Sequence, residues 1–137
     1  MIAVDTNVLV RVLVDDPGEG RQVAAARARV KRASQVWIPQ IVQVETVWVL
    51  QSAYELDKPT ILEVLDRLQS NEAYALQNQE AFAAALAEFR QGKADFADYL
   101  ILQESRAAGH LLLTFDTRLQ KAPGARSVAF RGSEGGD

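Results

Sequence analysis

The chain has 137 residues, 48% of them apolar and 24% charged, with a net charge of −3. This is the composition of one globular domain with a core of its own, and it excludes disorder and a nucleic-acid binder working by bulk positive charge. There is no cysteine, so disulfides, thiolate metal sites and cysteine nucleophiles are excluded. Any metal must be held by oxygen or by the single His110, which favours hard cations.

The N-terminus is apolar, but Asp5 interrupts it and no basic segment precedes it, so no signal peptide is expected. No run approaches the roughly 20 apolar residues of a membrane helix. The expectation is a cytoplasmic protein without membrane contact.

Residues 2–4 read as a first short strand, 15–20 (DDPGEG) as a loop, and about 21–33 as a helix. That helix carries Arg21, Arg27, Arg29, Lys31 and Arg32 with no acid among them. It reads first as a solvated face and second as an RNA-backbone contact. Residues 36–38 form a second strand closed by Pro39, and a helix over about 41–54 follows, broken at Lys58-Pro59. Thr60 with Glu63 fits a capping box opening a helix over about 61–70. Residues 73–76 read as a third strand. Asn78 reads as a cap for a helix over about 79–91 that Gly92 ends. Another helix spans about 95–108 and stops at Gly109. Residues 111–114 are a strand, 116–120 a helical turn, 127–130 a last strand and 131–137 a flexible tail. This alternation predicts an α/β fold around a mostly parallel sheet, with one domain over 1–130.

Asp5 follows the first strand, and Asp116 follows the strand over 111–114 with only Phe115 between. Both stand beyond the carboxyl ends of strands, where open α/β sheets place their ligands. Either one alone also fits a turn or helix cap. Glu45 shares a helix face with Ile41, Trp48 and Val49. A carboxylate in an apolar stripe is costly unless paired or coordinated. Asp95 and Asp98 stand three apart and project from nearly one helix face. Asp95 suits the helix cap and an accessory role, whereas Asp98 points inward as a ligand.

Gathered in one crevice, Asp5, Glu45, Asp98 and Asp116 require a counter-charge, and a divalent cation supplies one. The oxygen-only set suits Mg²⁺ or Mn²⁺, and the matching chemistry is phosphodiester hydrolysis.

The stretch IAVDTNVLVRVLVDDP resembles the first motif of PIN domains, especially the VapC toxins of toxin–antitoxin pairs. PQIVQVETVWVL resembles the second motif, ADFADYLIL the third and LLLTFDTRL the fourth, together spanning about residues 1–130. The resemblance implies a single PIN-like domain with a central parallel sheet of order 3-2-1-4-5, flanked by helices. Its strands one and four would bring Asp5 and Asp116 together. It implies catalytic, metal-holding roles for Asp5, Glu45, Asp98 and Asp116, with Asp95 a frequent additional ligand. Thr6, Asn7 and Thr114 would orient carboxylates or waters, or else serve as turn and capping residues. It further implies a Mg²⁺- or Mn²⁺-dependent endoribonuclease, a homodimer, and a VapB-like antitoxin entering the active-site groove. The helices over 41–54 and 61–68 would supply the dimer and antitoxin contacts, or simply core. Trp37 and Trp48 read first as core and second as base-stacking platforms.

The chain departs from some PIN domains by having Thr117 and Arg118 where a further acid can follow Asp116. This argues against a second metal and offers Arg118 to the scissile phosphate. Phosphatases with an aspartate nucleophile place a second Asp two residues on, and position 7 is Asn. No G-x-S-x-G motif accompanies His110, which reads as a surface or capping residue. The remaining alternative is a non-catalytic PIN-like RNA-binding or scaffold module, which would be expected to lose acids that this chain keeps.

Overall fold

Residues 6–13 hold three valines and carry little intrinsic helix preference; the sequence pattern leaves them unassigned. In the computed structural model, which describes residues 1–128, they form helix α1 (Thr6–Leu13) directly after strand β1 (Ile2–Ala3). Two contributions override the weak propensity. The Asp5 carboxylate caps the helix by accepting from the Val8 N–H at 3.0 Å, and Leu9 and Val10 are fully buried.

The chain falls into two units, Met1–Gln79 and Glu80–Asp137. In the first, β1, β2 (Val36–Ile38) and β3 (Tyr74–Leu76) form a parallel sheet in that order, with Ile2 opposite Val36 and Val36 opposite Tyr74. Parallel neighbours need crossovers. Helices α1 and α2 (Gly20–Lys31) connect β1 to β2; α3 (Gln40–Ser52) and α4 (Lys58–Ser70) connect β2 to β3. Val36, Ile38, Leu50, Ile61, Val64, Leu65 and Leu68 are buried in this unit. The buried Gln43 amide donates to Ile38 O at 3.2 Å and Gln77 O at 2.9 Å, securing backbone acceptors at the ends of β2 and β3.

The second unit contains α5 (Gln79–Gln91), α6 (Phe96–Ala107), β4 (Leu112–Thr114) and β5 (Ala125–Ser127). Strands β4 and β5 pair in parallel. Phe96 meets Phe82 and Phe89 edge-on, with ring centroids 5.5 and 5.9 Å away. Gly109, at φ 79°, lets the chain leave α6 towards β4.

Several expectations are corrected. The strands form two sheets, not one of order 3-2-1-4-5. The 3-2-1 and 4-5 adjacencies hold within their own sheets. The cap of α4 is Asp57, not Thr60. Its carboxylate accepts from the Thr60 N–H at 3.0 Å and from the Thr60 hydroxyl at 2.6 Å, and Lys58 and Pro59 lie inside the helix. Proline is tolerated there because first-turn N–H groups have no partner to lose. The last strand is Ala125–Ser127 rather than 127–130. Residues 129 and 130 and the tail over 131–137 lie outside the described residues.

The face of α3 is also reassigned. Ile41 and Trp48 are 69% and 65% exposed, and Glu45 is exposed with them. The buried face carries Val42, Gln43, Thr46, Val47 and Leu50. The helix is apolar nearly all round, so periodicity does not select its inner side. Trp37 is exposed as well, and neither tryptophan is core. Asn78 precedes α5 at φ 54°, a conformation asparagine tolerates, and its amide donates to Gln40 Oε1 at 2.7 Å. Helix α2 has no buried residue, and Arg27 pairs with Asp15 at 2.9 Å, in keeping with a solvated basic face. No helix among the described residues is long and apolar enough to cross a membrane.

Candidate active site

In the first unit, Asp5 stands two residues beyond β1, with extended backbone, at the head of α1. One of its oxygens accepts from Val8, and the partial positive charge of the helix N-terminus favours an anion there. Thr6, the next residue, donates its hydroxyl to Glu45 Oε1 at 3.0 Å. This bond ties α3 to the start of α1 and favours one rotamer of the glutamate. The reason for singling out Glu45 changes accordingly. It does not sit in a buried apolar stripe, and its placement comes from Thr6. Asn7 is exposed in the first turn of α1.

In the second unit, Asp95 and Asp98 form the capping box of α6, with Asp98 Oδ2 accepting from the Asp95 N–H at 3.3 Å. Asp98 is half-buried. Burial raises its carboxyl above the usual range, and the charges of Asp95 and Asp116 push in the same direction. The Asp95 N–H bond and the Arg118 charge oppose them. Asp116 follows β4 in a turn where its N–H donates to Thr114 Oγ1 at 3.0 Å. Its Oδ1 accepts from the N–H groups of Arg118 and Leu119 at 2.8 and 3.2 Å. Its Oδ2 accepts from the Arg118 guanidinium at 2.8 Å. The Arg118 hydrogen bond is the chief reason that Asp116 is held down to about 2. The guanidinium expected at a scissile phosphate is therefore already engaged with a carboxylate.

The structure thus links Thr6 to Glu45 beside Asp5, and sets Asp95, Asp98 and Asp116 in one electrostatic neighbourhood. Among the described residues no three Asp, Glu or His side chains gather closely enough to hold an ion. The donor chemistry nonetheless fits a hard divalent cation. All the donors are carboxylate or hydroxyl oxygens, His110 is exposed, and the half-buried Asp98 feels like-charge repulsion from Asp95 and Asp116 that a cation relieves. The sequence reading singled out neither Lys93 nor Lys121. Both line a cavity of about 320 Å³ with Arg118, and their only signal in the sequence is proximity to Asp95 and Asp116.

No curated protein matches the chain. The family model described as PIN domain matches residues 2–125, which takes in β1, all six helices, β4, and every acid described above. The chain belongs to the PIN domain family.

Proposed function

We propose that the protein is a divalent-metal-dependent endoribonuclease and the toxin of a VapBC-type toxin–antitoxin pair. The PIN domain is generally a nuclease fold. The observation that carries the reading is the half-buried Asp98 carboxyl in the capping box of α6, which burial and the charges of Asp95 and Asp116 destabilise. Asp5 and the Thr6-held Glu45 are the corresponding acids of the first unit.

Asp5, Glu45, Asp98 and Asp116 would hold Mg²⁺ or Mn²⁺, with Asp95 accessory. When bound, such an ion supplies Lewis-acid polarisation of a phosphoryl oxygen and lowers the pKa of water. The chain's own residues supply the rest. The helix cap engages one oxygen of Asp5 and leaves the other available. The Thr6 hydroxyl keeps Glu45 in one rotamer, and Arg118 keeps Asp116 ionised. Thr114 holds the turn that presents Asp116. Ile41 and Trp48, exposed on α3, are offered as the surface for a second copy or for the antitoxin.

The test is cleavage of total cellular RNA by purified, antitoxin-free protein with Mg²⁺ or Mn²⁺. Asp5→Asn and Asp98→Asn variants and chelation by EDTA are the controls. Discrete fragments that vanish in all three controls support the nuclease. Unchanged cleavage in the controls rejects the carboxylate mechanism, and no cleavage by folded protein favours a non-catalytic module. Growth arrest on expression, relieved by a small protein encoded next to it, tests the toxin role separately.

A further inference from the structure

The cavity of about 320 Å³ in the second unit is lined by Lys93, Arg118 and Lys121 together with Gly92, Tyr99 and Glu88. Three cationic residues thus line one small space. The single acid among these residues is already neutralised. Glu88 receives both terminal nitrogens of Arg106 at 2.9 and 3.2 Å, and the Gln103 amide as well. The remaining wall, Gln91, Gly92, Tyr99 and Ala122, is closely fitted. Tyr99 is 3% exposed and its hydroxyl accepts from the Ala94 N–H at 3.2 Å. A Cβ on Gly92 would come within 1.8 Å of that hydroxyl, so only glycine permits the wall to form. Arg118 belongs both to this cavity and to the aspartate cluster, through its bond to Asp116.

Resting on the nuclease reading, we propose that this cavity seats one nucleotide of single-stranded RNA beside the bond to be cut. Lys93 and Lys121 hold its backbone phosphate, and the wall at Gly92 and Ala122, backed by the buried Tyr99, receives the ribose or base. A volume near 300 Å³ is at the lower end of ligand sites and matches one nucleotide rather than a duplex. Phosphate contacts of this kind fix the register of a strand without reading its sequence. Lysine suits the task as a mobile point charge, while the fixed Arg118–Asp116 pair keeps the third cation at the boundary with the carboxylates. An unstacked base is available in single strands and loops, where proteins generally read RNA.

The experiment is fluorescence anisotropy of a labelled 12-nucleotide single-stranded RNA with the full chain in EDTA, over a series of salt concentrations. Lys93→Ala/Lys121→Ala should bind about fivefold to tenfold more weakly, and its salt slope should be smaller by about 0.7, the value for one lost phosphate contact on a single strand. Both lysines are exposed, and Lys93→Gln/Lys121→Gln gives the same reading should the alanine form be unstable. Affinity and slope equal to wild type would overturn the pocket, as would wild type that binds no RNA. Lysine-dependent binding of 5′-AMP without lysine-dependent binding of RNA would overturn it too, in favour of a free-nucleotide site. Cleavage by wild type in Mg²⁺ is read in parallel. Lysine-dependent binding without cleavage rejects the nuclease and leaves the pocket. Cleavage with lysine-independent binding rejects the pocket alone.

Discussion

The Thr6 hydroxyl donates to Glu45 Oε1 at 3.0 Å, joining residues 39 positions apart in the chain. Because it is made to an ionised group, this bond is of the stronger kind, yet its exposure to water limits its worth to stability. Thr6→Val should therefore cost about 1 kcal/mol or less in urea unfolding. Cleavage should fall about tenfold as Glu45 gains rotamers. Thr6→Ser should restore both. A valine variant with full activity would show that Glu45 needs no such restraint.

Asp5 has a capping duty apart from any chemistry. Asp5→Ala should lose about 1 kcal/mol of stability, and Asp5→Asn, whose side-chain oxygen still accepts from Val8, only a few tenths. Denaturant midpoints of the two variants check this. A loss of cleavage in Asp5→Asn then reports on the carboxylate rather than on folding.

Asp98 and Asp116 have opposite pH signatures. Asp116 sits near 2, below its unfolded value, so its contribution is present above about pH 4 and is lost as pH falls towards 2. The Tm advantage of wild type over Arg118→Ala should be full at pH 5 and mostly lost by pH 2. Asp98 is raised by burial and by its neighbours' charge, so its ionised form opposes folding at neutral pH. Asp98→Asn, which can still accept from Asp95, should raise Tm at pH 7 and lower cleavage by about 100-fold or more. The gain should shrink as pH falls through the raised value. A Tm that drops at pH 7 would mean that the carboxylate stabilises the fold.

Gly92→Ala drives a methyl into the Tyr99 ring, whose hydroxyl and Cζ would lie 1.8 and 2.8 Å from it. The expected cost is about 1–3 kcal/mol. Tyr99→Phe in the same chain removes the nearer clash but also the bond to Ala94, so recovery should be partial. A double-mutant cycle in urea measures the coupling.

On α3, Leu50→Ala should cost about 2–5 kcal/mol, since Leu50 is wholly buried, whereas Trp48→Ala should stay within about 0.5 kcal/mol. Equal losses at both positions would mean that Trp48 is covered in solution.

This contrast also marks what a sequence can disclose. Glycine and proline punctuation, together with alternating strand and helix patterns, located β1 to β4 and five of the six helices. Asp95 at the head of α6 was legible from its place before ADYLIL. The inner face of α3 was not, because Ile41, Val42, Trp48 and Leu50 are equally apolar and only packing tells them apart. Helix α1 was hidden by its valines, whose preference the cap and two buried side chains override. Thr60 misled for a related reason. Asp57 three residues earlier is the better acceptor, and proline within the first turn disguised the start. Asp5 and Asp116 stood out by their positions after strands, Glu45 by its helix face, and Asp95 and Asp98 by their spacing of three. Lys93 and Lys121 were not, since nothing local marks a lysine that lines a cavity.

The strands are short, two residues in β1 and three in each of the others. Asp5 therefore hangs from the sheet by almost nothing, and what steadies it is an eight-residue helix too brief to persist alone. The lifetime of that carboxylate's pose is then the lifetime of the first turn of α1. The Val8 amide, bonded to the carboxylate itself, is its clock: its rate of exchange with deuterated water counts how often the cap opens. An ion or a partner that engaged the free oxygen of Asp5 would slow that clock before it altered any contour of the fold.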